Sequence, residues 1–426
     1  MKILMYGWEF PPDISGGLGM ACYGIVNELA KKGINITLAL PKTMENVTPN
    51  NNISIIGCDG IKTTRTSLKI AQLGLAIDTY EIESLIYPYI TEHSYKQKLN
   101  ALGYHYQHDY LNYLIPNTTI LTGKYGPNLL AEVIRYANIA GLLAMKIPHD
   151  IIHAHDWLTA LAGIEARKVS KKPFIFQIHA LEHDRSGEKI NYNVFAIEKY
   201  GMEMADKVIA VSQYTKNVIT KYYGINPDKI EVVHNGTYFS DHKIQKVLRR
   251  KHKLILFVGR ITHQKGPWHF IEAARKILVK RSDLHFIIVG AGDQLEEMIE
   301  RVAALKIGKN VHFTGFLNPE KIQKIYQLAD VYVMPSVSEP FGLTCLEALS
   351  NNIPVVISKQ SGVAEVLNHV LKIDFWDSDE MINKIMALLN YRVLREESLK
   401  RSAEELKSLT WENTADSLIE IYNDIK

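Results

Sequence analysis

The amino-acid sequence predicts two α/β domains, each built on a doubly wound parallel sheet. The chain has 426 residues, whereas a single hydrophobic core stops growing at roughly 250–300 residues. Apolar residues make up 46% and charged residues 22% of the chain, which is the average of globular proteins. Short apolar runs alternate with helical patterns along both halves, and this alternation is typical of parallel sheets.

The first half opens with a β-loop-α-β unit, recognised from apolar runs of strand length and from helical apolar spacing. The predicted elements are a strand at 2–7, a loop at 11–19, a helix at 20–32 and a strand at 34–40. Further strands are predicted at 151–153, 174–178 and 208–211. Ser212 follows the last of these strands and is a candidate N-cap for the next helix.

The second half repeats the alternation and predicts another doubly wound sheet. Its strands are predicted at 254–258, 285–289, 311–313, 331–334 and 355–358, with a helix at 268–280. The predicted domains are 1–245 and 246–408, followed by a C-terminal helix at 409–426 that crosses back to the first domain. The charged stretch 243–253 is the predicted linker, either a solvated helix or a contact for an anionic partner.

Residues 61–126 do not follow this alternation and are rich in tyrosine. We interpret them as a helical insertion in the first domain. Tyrosines stack on sugar rings and suit a wet binding surface, but they are also ordinary packing residues of a helical layer. The sequence leaves both interpretations open.

Charge, hydropathy and cysteine content exclude several classes of protein. Basic residues outnumber acidic ones by only 49 to 46, which is not the footprint of a nucleic-acid-binding protein. No run reaches the roughly 18 uncharged apolar residues of a membrane span, and the N-terminus lacks the pattern of a signal peptide. The three cysteines form no CxxC pair, so neither a disulfide framework nor a zinc site is indicated. We expect a soluble cytoplasmic protein.

Ligand sites of doubly wound domains lie at the carboxyl ends of the strands, so the loops that follow strands are candidates. The loop after the first strand contains Gly16 and Gly17 and leads into a helix. Glycines let a ligand approach the backbone, and a helix N-terminus offers free N–H groups to a phosphate. The pattern is neither GxGxxG nor a Walker loop, so a plain structural turn is an equal alternative.

The loop after the first strand of the second domain carries two cations, Arg260 and Lys265. A guanidinium binds a diphosphate as a fork, and an ammonium binds it as a point charge. Ordinary surface charge is the alternative. The position at the end of a strand favours an anion site.

The loop after the strand at 331–334 leads to two glutamates, Glu339 and Glu347, on either side of a Pro-Phe-Gly turn. Pro340 is predicted to begin a helix, and Gly342 leaves the backbone open to a ligand. Glu347 falls within that helix, so the two carboxylates are expected to contact different parts of one ligand. Solvated glutamates are the alternative.

His153, His155, Asp156 and His179 end or follow two strands of the first domain. Histidine and aspartate together are common metal ligands. The chain has no His-Glu-x-x-His motif, and no third ligand is evident. We therefore predict neither a metal site nor a cofactor.

Together, these motifs resemble those of the retaining GT-B glycosyltransferases, in particular the glycogen and starch synthase branch. The motifs are Gly16-Gly17-Leu18, His155-Asp156-Trp157, His179, Asn235-Gly236, Gly259-Arg260 with Lys265-Gly266, and Glu339 with Glu347. The resemblance covers nearly the whole chain and implies two Rossmann-like domains that face each other across a cleft. It also implies a nucleotide-sugar donor, UDP- or ADP-glucose, and a growing α-1,4-glucan as the acceptor.

The resemblance implies a role for each candidate residue on the donor phosphates and ribose. Arg260 and Lys265 would neutralise the leaving diphosphate. The backbone of Gly16 and Gly17 would add N–H donors. Glu347 would accept hydrogen bonds from the nucleotide ribose. Since the two cations take the place of a metal, the family's reaction implies metal independence.

Other residues are implied at the transferred sugar and at the base. Glu339 would hold sugar hydroxyls in the second domain, while His179 and Asp156 would close the sugar site from the first. The remaining implied donor-binding residues are Phe341, Gly342, Leu343, Gly315 and Phe316.

The chain departs from the family before the glycine pair, where Asp13-Ile14-Ser15 stands in place of an expected lysine. This departure leaves the donor nucleotide open. An acceptor that is a lipid-linked or cell-envelope glycan is an alternative. A sugar-nucleotide epimerase of the same fold is another, and it would convert the donor without releasing nucleoside diphosphate. A non-catalytic sugar-nucleotide binding protein is disfavoured by the intact cations and carboxylates.

Overall fold

The computed structural model describes residues 1–12, 14, 16–42, 52–61, 67–68, 113–114, 121–126, 128–187, 189–238 and 252–426. The chain divides into two compact units, the first formed by Met1–Gly236 with Trp411–Lys426 and the second by Thr237–Thr410. Most of the tyrosine-rich insertion predicted at 61–126 lies outside the described residues, as does most of the linker predicted at 243–253.

Strands and helices are labelled in chain order. The strands are β1 (Lys2–Tyr6), β2 (Asn35–Leu40), β3 (Ile53–Gly57), β4 (Ser67–Leu68), β5 (Tyr113–Leu114), β6 (Ile151–His155), β7 (Phe174–Ile178), β8 (Lys207–Ala210), β9 (Ile230–Val232), β10 (Lys253–Val258), β11 (Leu284–Val289), β12 (Val311–Gly315), β13 (Val331–Met334), β14 (Val355–Ser358) and β15 (Leu371–Ile373).

The α-helices are α1 (Gly17–Lys31), α2 (Leu129–Lys146), α3 (Trp157–Ser170), α4 (Glu182–Ser186), α5 (Tyr192–Met204), α6 (Gln213–Val218), α7 (Pro267–Leu278), α8 (Leu295–Ala304), α9 (Pro319–Tyr326), α10 (Leu343–Ser350), α11 (Ser378–Asn390), α12 (Arg392–Leu406) and α13 (Trp411–Ile425). A π-helical turn lies at Ile219–Tyr223, and short 3₁₀ turns lie at Pro227–Lys229, His263–Lys265 and Gly362–Glu365.

The first unit is built on a sheet whose described strands follow the order β3-β2-β1-β6-β7-β8-β9. Every adjacent pair in this order is parallel. β6 and β7 are buried along their whole length, as expected for strands of a parallel sheet that is covered on both faces. The strand order reverses between β1 and β6, and a crevice for a ligand is expected beyond the carboxyl ends of these strands.

The second unit repeats this design with the order β12-β11-β10-β13-β14-β15, and its adjacent strands are also parallel. Its core includes Phe257, Phe270 and Phe286, which are almost completely buried. The order reverses between β10 and β13. The predicted fold class, two parallel α/β sheets of the doubly wound kind, is therefore confirmed.

The C-terminal helix α13 packs against α1 within the first unit. Trp411 lies over Gly24 so closely that a Cβ atom at Gly24 would come within 2.3 Å of the indole ring. The hydroxyl of Thr414 donates a hydrogen bond to the carbonyl of His234 at 2.8 Å. Both contacts fix the helix on the first unit.

The sequence predicted where three of the helices begin, and the structure corrects two of these starts and confirms the third. α1 begins at Gly17 rather than at residue 20, because the glycine-rich segment already takes helical geometry. α10 begins at Leu343 rather than at Pro340, since Gly342 has a φ of +118° and caps the helix there. The cap predicted at Ser212 is confirmed, because its hydroxyl accepts from the N–H of Thr215 at 3.0 Å.

Candidate active site

The candidate residues of the second unit lie at the reversal of strand order. Arg260 and Lys265 follow β10, and Glu339 follows β13. Open α/β sheets bind ligands at such a point, beyond the carboxyl ends of the strands. The structure thus brings these three predicted residues to one edge of one sheet.

Lys265 and Glu339 form an ion pair. The ammonium Nζ lies 2.6 Å from the carboxylate Oε2, and the two side chains are 24% and 9% exposed. The hydroxyl of Ser336 donates to the same oxygen at 3.2 Å. An ammonium so placed is partly shielded from solvent, so its charge acts more strongly on a nearby anion than an exposed lysine would.

The loops around this pair are fastened to one another by backbone hydrogen bonds. The N–H of Val337 donates to the carbonyl of Gln264 at 2.9 Å, which joins the loops after β13 and β10. The loops after β13 and β14 are joined by two bonds of 2.9 Å, from Glu339 N–H to Gln360 O and from Gly362 N–H to Glu339 O. These loops are held in place by the protein itself, as a preorganised charge site requires.

Arg260 lies on the loop directly after β10, and its side chain is partly exposed. The next residue, Ile261, donates its N–H to the carbonyl of Ala291 and accepts from the N–H of Gln294, both at 3.0 Å. These bonds hold the loop of Arg260 against the loop after β11. The backbone that carries the Arg260 guanidinium is therefore held in place.

Phe341, Gly342 and Leu343 form the start of α10. Gly342 has a φ of +118°, a conformation that favours glycine, and a Cβ atom there would lie 3.0 Å from Cε of Met334. The carbonyl of the buried Phe341 accepts from the N–H of Val363 at 2.7 Å. The helix begins at the carboxyl edge of the sheet, so its first N–H groups and positive dipole end lie at the candidate site.

Glu347 lies in the second turn of α10, as the sequence predicted. The phenolic hydroxyl of Tyr326 donates to its Oε2 at 2.9 Å. Burial raises the pKa of the Glu347 carboxyl, while the bond from Tyr326 lowers it. This hydrogen bond fixes the carboxylate that the resemblance assigns to the ribose.

Gly315 and Phe316 lie at the end of β12, the edge strand of the sheet. The carbonyl of Gly315 accepts from the N–H of Gly290 at 3.0 Å. The ring of Phe316 is 62% exposed. These two residues are therefore separated from Lys265 and Glu339 by the loop after β11.

In the first unit, the candidate residues lie at the corresponding reversal of strand order. Gly16 and Gly17 follow β1, Asp156 follows β6 and His179 follows β7. Gly16 is extended, with a φ of −175°, and Gly17 is the first residue of α1. The glycine pair thus lies at a helix N-terminus rather than in a free loop.

Asp156 holds the backbone that carries His179. Its φ is +59°, a conformation that costs free energy for a non-glycine residue. Its Oδ1 accepts from the N–H groups of His179 at 2.6 Å and Ala180 at 3.2 Å. Burial raises the pKa of Asp156 to about 6, although these bonds and the charge of Arg185 act in the opposite direction.

His179 contacts a second histidine of the first unit. Its Nε2 lies 3.0 Å from Nδ1 of His155. Burial lowers the pKa of His179 to about 3, and it lowers that of His155 well below the ordinary value. Both rings are therefore neutral at physiological pH.

A buried charge network behind His179 was not singled out from the sequence. Arg185 contacts Glu182 at 3.2 Å and Glu198 at 2.5 Å. It also donates to the carbonyl of Ala180 at 3.0 Å, and burial raises the pKa of Glu198 to about 8. The network ties the segment after β7 to α5. Only the three-residue spacing of Glu182 and Arg185 on one helix could have suggested it.

Two features are absent from the described residues, a metal-binding cluster and a membrane-spanning helix. In that part of the chain no group of three or more histidine, cysteine, aspartate or glutamate side chains is arranged to hold a metal ion. None of the described helices is long and apolar enough to cross a membrane.

Comparison with known proteins gives two adjacent family matches. Residues 239–405 match the family of glycosyl transferases group 1, and residues 103–238 match glycosyltransferase family 4.

An uncharacterized glycosyltransferase of Methanocaldococcus jannaschii is 26% identical over 99% of this chain and 98% of its own length. A glycogen synthase of Mycobacterium tuberculosis is 24% identical over 86% of this chain and 80% of its own length.

The solved structures agree on the fold. Sucrose-phosphate synthase from Thermosynechococcus elongatus matches with a TM-score of 0.73 at 18% identity, over 99% of this chain and 98% of the other. These observations define a glycosyltransferase of the GT-B type. They are the two parallel α/β sheets, the candidate residues at the reversal of strand order in each sheet, and the two family matches. The two family matches together span residues 103–405 and support this class for the chain.

Proposed function

We propose that the protein is a retaining glucosyltransferase that transfers glucose from UDP- or ADP-glucose to a growing α-1,4-glucan. The observation that carries the proposal is the arrangement around β10 and β13. Arg260 and Lys265 lie on one fixed loop, and Lys265 contacts Glu339 at 2.6 Å. Cations and a carboxylate side by side suit a ligand that joins a diphosphate to a polyhydroxyl ring.

In this proposal the donor binds mainly to the second unit. Arg260 and Lys265 neutralise the diphosphate, and the N-terminus of α10 donates N–H groups to the donor. Glu339 accepts hydrogen bonds from sugar hydroxyls. Glu347, held by Tyr326 at 2.9 Å, accepts from the ribose. We assign contacts with the nucleotide base to Gly315 and Phe316, since the exposed ring of Phe316 offers a stacking surface.

The first unit supplies groups that act on the transferred sugar. We assign sugar contacts to His179 and to the backbone that Asp156 fixes. Gly16 and Gly17 offer N–H donors at the start of α1. The His179 ring is neutral and adds no charge. Its Nε2 contacts His155, and its Nδ1 has no hydrogen-bond partner among the described residues.

The reaction that fits these groups is a substitution on one face of the sugar. The bond from C1 of glucose to the diphosphate oxygen breaks, and the diphosphate leaves with the electron pair. The acceptor hydroxyl forms the new bond to C1 on the same face, and its proton passes to the departing phosphate. The protein positions the reactants and stabilises the growing negative charge without a metal or cofactor.

The glycogen synthase relative supports the glucan acceptor, because its match covers 86% of this chain.

We also propose a cytoplasmic location. The three cysteines Cys22, Cys58 and Cys345 are buried free thiols, which fits a reducing compartment.

The test is nucleoside diphosphate release across a panel of donors, with and without glycogen or maltooligosaccharides. We expect release from UDP- or ADP-glucose that depends on the glucan, and labelled glucose in a product that an α-1,4-specific glucosidase cleaves. Release that requires a lipid-linked glycan instead would move the acceptor to the cell envelope. Conversion of the donor without diphosphate release would indicate an epimerase and contradict the proposal.

A further inference from the structure

Four side chains of the first unit form a continuous series that ends at His179. The hydroxyl of Tyr422 on α13 lies 2.7 Å from Nδ1 of His153. The rings of His153 and His155 stack with centroids 4.3 Å apart and planes at 29°. Nδ1 of His155 then lies 3.0 Å from Nε2 of His179. The series joins the C-terminal helix to the candidate active site.

The fold explains why these groups meet. His153 and His155 are two residues apart on β6, so their side chains lie on the same face of the sheet. β7 is the neighbour of β6, and His179 directly follows it. Tyr422 is completely buried, and α13 is fixed on the first unit through Trp411.

The three imidazole rings are neutral, because burial lowers the pKa of His153 and of His179 to about 3 and that of His155 well below its usual range. A neutral imidazole carries one N–H donor and one acceptor nitrogen. Each ring in the series must therefore take one tautomer. The tautomer of a ring is set by the hydrogen bond that its other nitrogen makes.

We propose that Tyr422 is a positioning residue for His179, and that it sets the tautomer and orientation of that ring through His153 and His155. The inference rests on the proposed function only in the assignment of His179 to the transferred sugar. Tyr422 itself touches no reacting atom.

The direction of the series follows from the tyrosine. Among the described residues, the only hydrogen-bond partner of the Tyr422 hydroxyl is Nδ1 of His153. A buried hydroxyl must donate its proton, so His153 accepts at Nδ1 and carries its own proton on Nε2. The dipole of this ring then acts on the stacked ring of His155 across a medium of low dielectric constant.

The last contact passes this preference to His179. The hydrogen bond between His155 Nδ1 and His179 Nε2 holds one proton, so the tautomers of the two rings depend on each other. Nδ1 of His179 is buried and makes no hydrogen bond with any residue that the structure describes. In our proposal, the series that begins at Tyr422 biases whether this nitrogen carries the proton of the ring.

The test is the full-length Tyr422→Phe variant, which keeps the ring and removes the hydroxyl. The matched control is Tyr6→Phe, because Tyr6 is also fully buried in the first unit and its hydroxyl donates to a backbone carbonyl, that of Ala140, at 3.0 Å. Both variants lose one buried hydrogen bond. Only the first touches a histidine.

Two measurements are made on each variant. Nitrogen-15 NMR of histidine-labelled protein gives the tautomer ratio of His179, assigned with a His179→Gln variant. Steady-state kinetics gives kcat and the donor KM. We expect Tyr422→Phe to change a single tautomer of His179 into a mixture and to lower kcat about tenfold, as loss of orientation does, with donor KM changed less than about twofold. Tyr6→Phe should leave the tautomer ratio and kcat unchanged.

The inference is overturned if the His179 signals of Tyr422→Phe match those of the wild type, or if Tyr6→Phe shifts them equally. A general loss of stability without a change in tautomer would also contradict it. If the wild-type protein turns over no donor, the proposed function fails, while the NMR comparison still decides whether Tyr422 sets the state of His179.

Discussion

Lys265 carries its charge at the carboxyl end of β10, against Glu339, where we place the leaving diphosphate. We expect Lys265→Met to lower turnover by about 10²–10³-fold, the cost of removing one preorganised charge contact. The measurement is nucleoside diphosphate release at saturating donor, with thermal unfolding as a check on folding.

Lys253 provides the matched control for this variant. It lies at the other end of the same strand and pairs with Asp330 at 2.7 Å. Lys253→Met should keep turnover within about twofold, since an exposed ion pair contributes only about 0–1 kcal/mol. Equal losses in both variants would show that Lys265 acts on stability rather than on the diphosphate.

Asp156 links activity to pH. Burial raises the pKa of Asp156 to about 6, although Arg185 lowers it. Above that pH the carboxylate is ionised and accepts the N–H groups of His179 and Ala180. Protonation weakens this acceptor, so kcat should fall as the pH decreases through about 6.

The pH dependence is checked with Asp156→Asn, which cannot titrate and should lose this acidic limb of the kcat profile. Asp206→Asn is the control. Asp206 accepts from the N–H of Phe174 at 2.8 Å, at the opposite end of β7. An acidic limb that persists in Asp156→Asn, or disappears in Asp206→Asn, would contradict the role of Asp156.

At the scale of elements, the contact between α1 and α13 leaves no room for an added methyl group at Gly24. A Cβ atom at Gly24 would lie within 2.3 Å of the Trp411 ring. We expect Gly24→Ala to reduce the free energy of unfolding by about 1–3 kcal/mol, because the added methyl group overpacks the interface. Gly60→Ala, where a Cβ atom would meet nothing within 4 Å, should change it by less than about 0.5 kcal/mol. Denaturant unfolding measures both.

The elements that the sequence predicts well are those with strong local signals. β6 and β7 are buried along their whole length, and each begins with adjacent apolar residues that indicate a strand. β3 and β15 were not predicted, because each lies at a sheet edge and contains partly exposed residues. The start of α1 was placed too late because helix propensity disfavours the glycines of its first turn.

Contacts between distant residues could not be predicted in the same way. The sequence places Lys265 and Glu339 on separate strand-end loops, but it does not show that they touch, since they are 74 positions apart. The bond from Tyr422 to His153 spans 269 positions, and nothing in the local pattern of either residue indicates it. The family resemblance supplied roles for individual residues, and these remain predictions.

At the scale of the whole molecule, the candidate residues are divided between the two units. The cations assigned to the diphosphate lie in the second unit, and His179 lies in the first. We expect His179→Ala to abolish transfer while leaving nucleoside diphosphate affinity within about twofold. Lys265→Met should weaken that affinity about tenfold, or by ~1.4 kcal/mol.

Titration calorimetry with nucleoside diphosphate distinguishes the two roles. His285→Ala serves as the histidine control, because His285 lies in the second unit and contacts another histidine, His312, at 3.1 Å. It should change neither binding nor transfer. A large loss of nucleoside diphosphate affinity in His179→Ala would contradict the division of roles between the units.

In the proposed reaction, glucose is transferred from a nucleotide donor with retention of configuration, at a site with fixed cations and neutral histidines. The most direct measurement is proton NMR of the product formed from UDP- or ADP-glucose and a maltooligosaccharide, followed from the first turnovers. An α-configured anomeric signal for each newly added glucose, with one nucleoside diphosphate released per glucose, is the expected result. A β-configured product, or free glucose in place of any transferred product, would contradict a retaining glucosyl transfer.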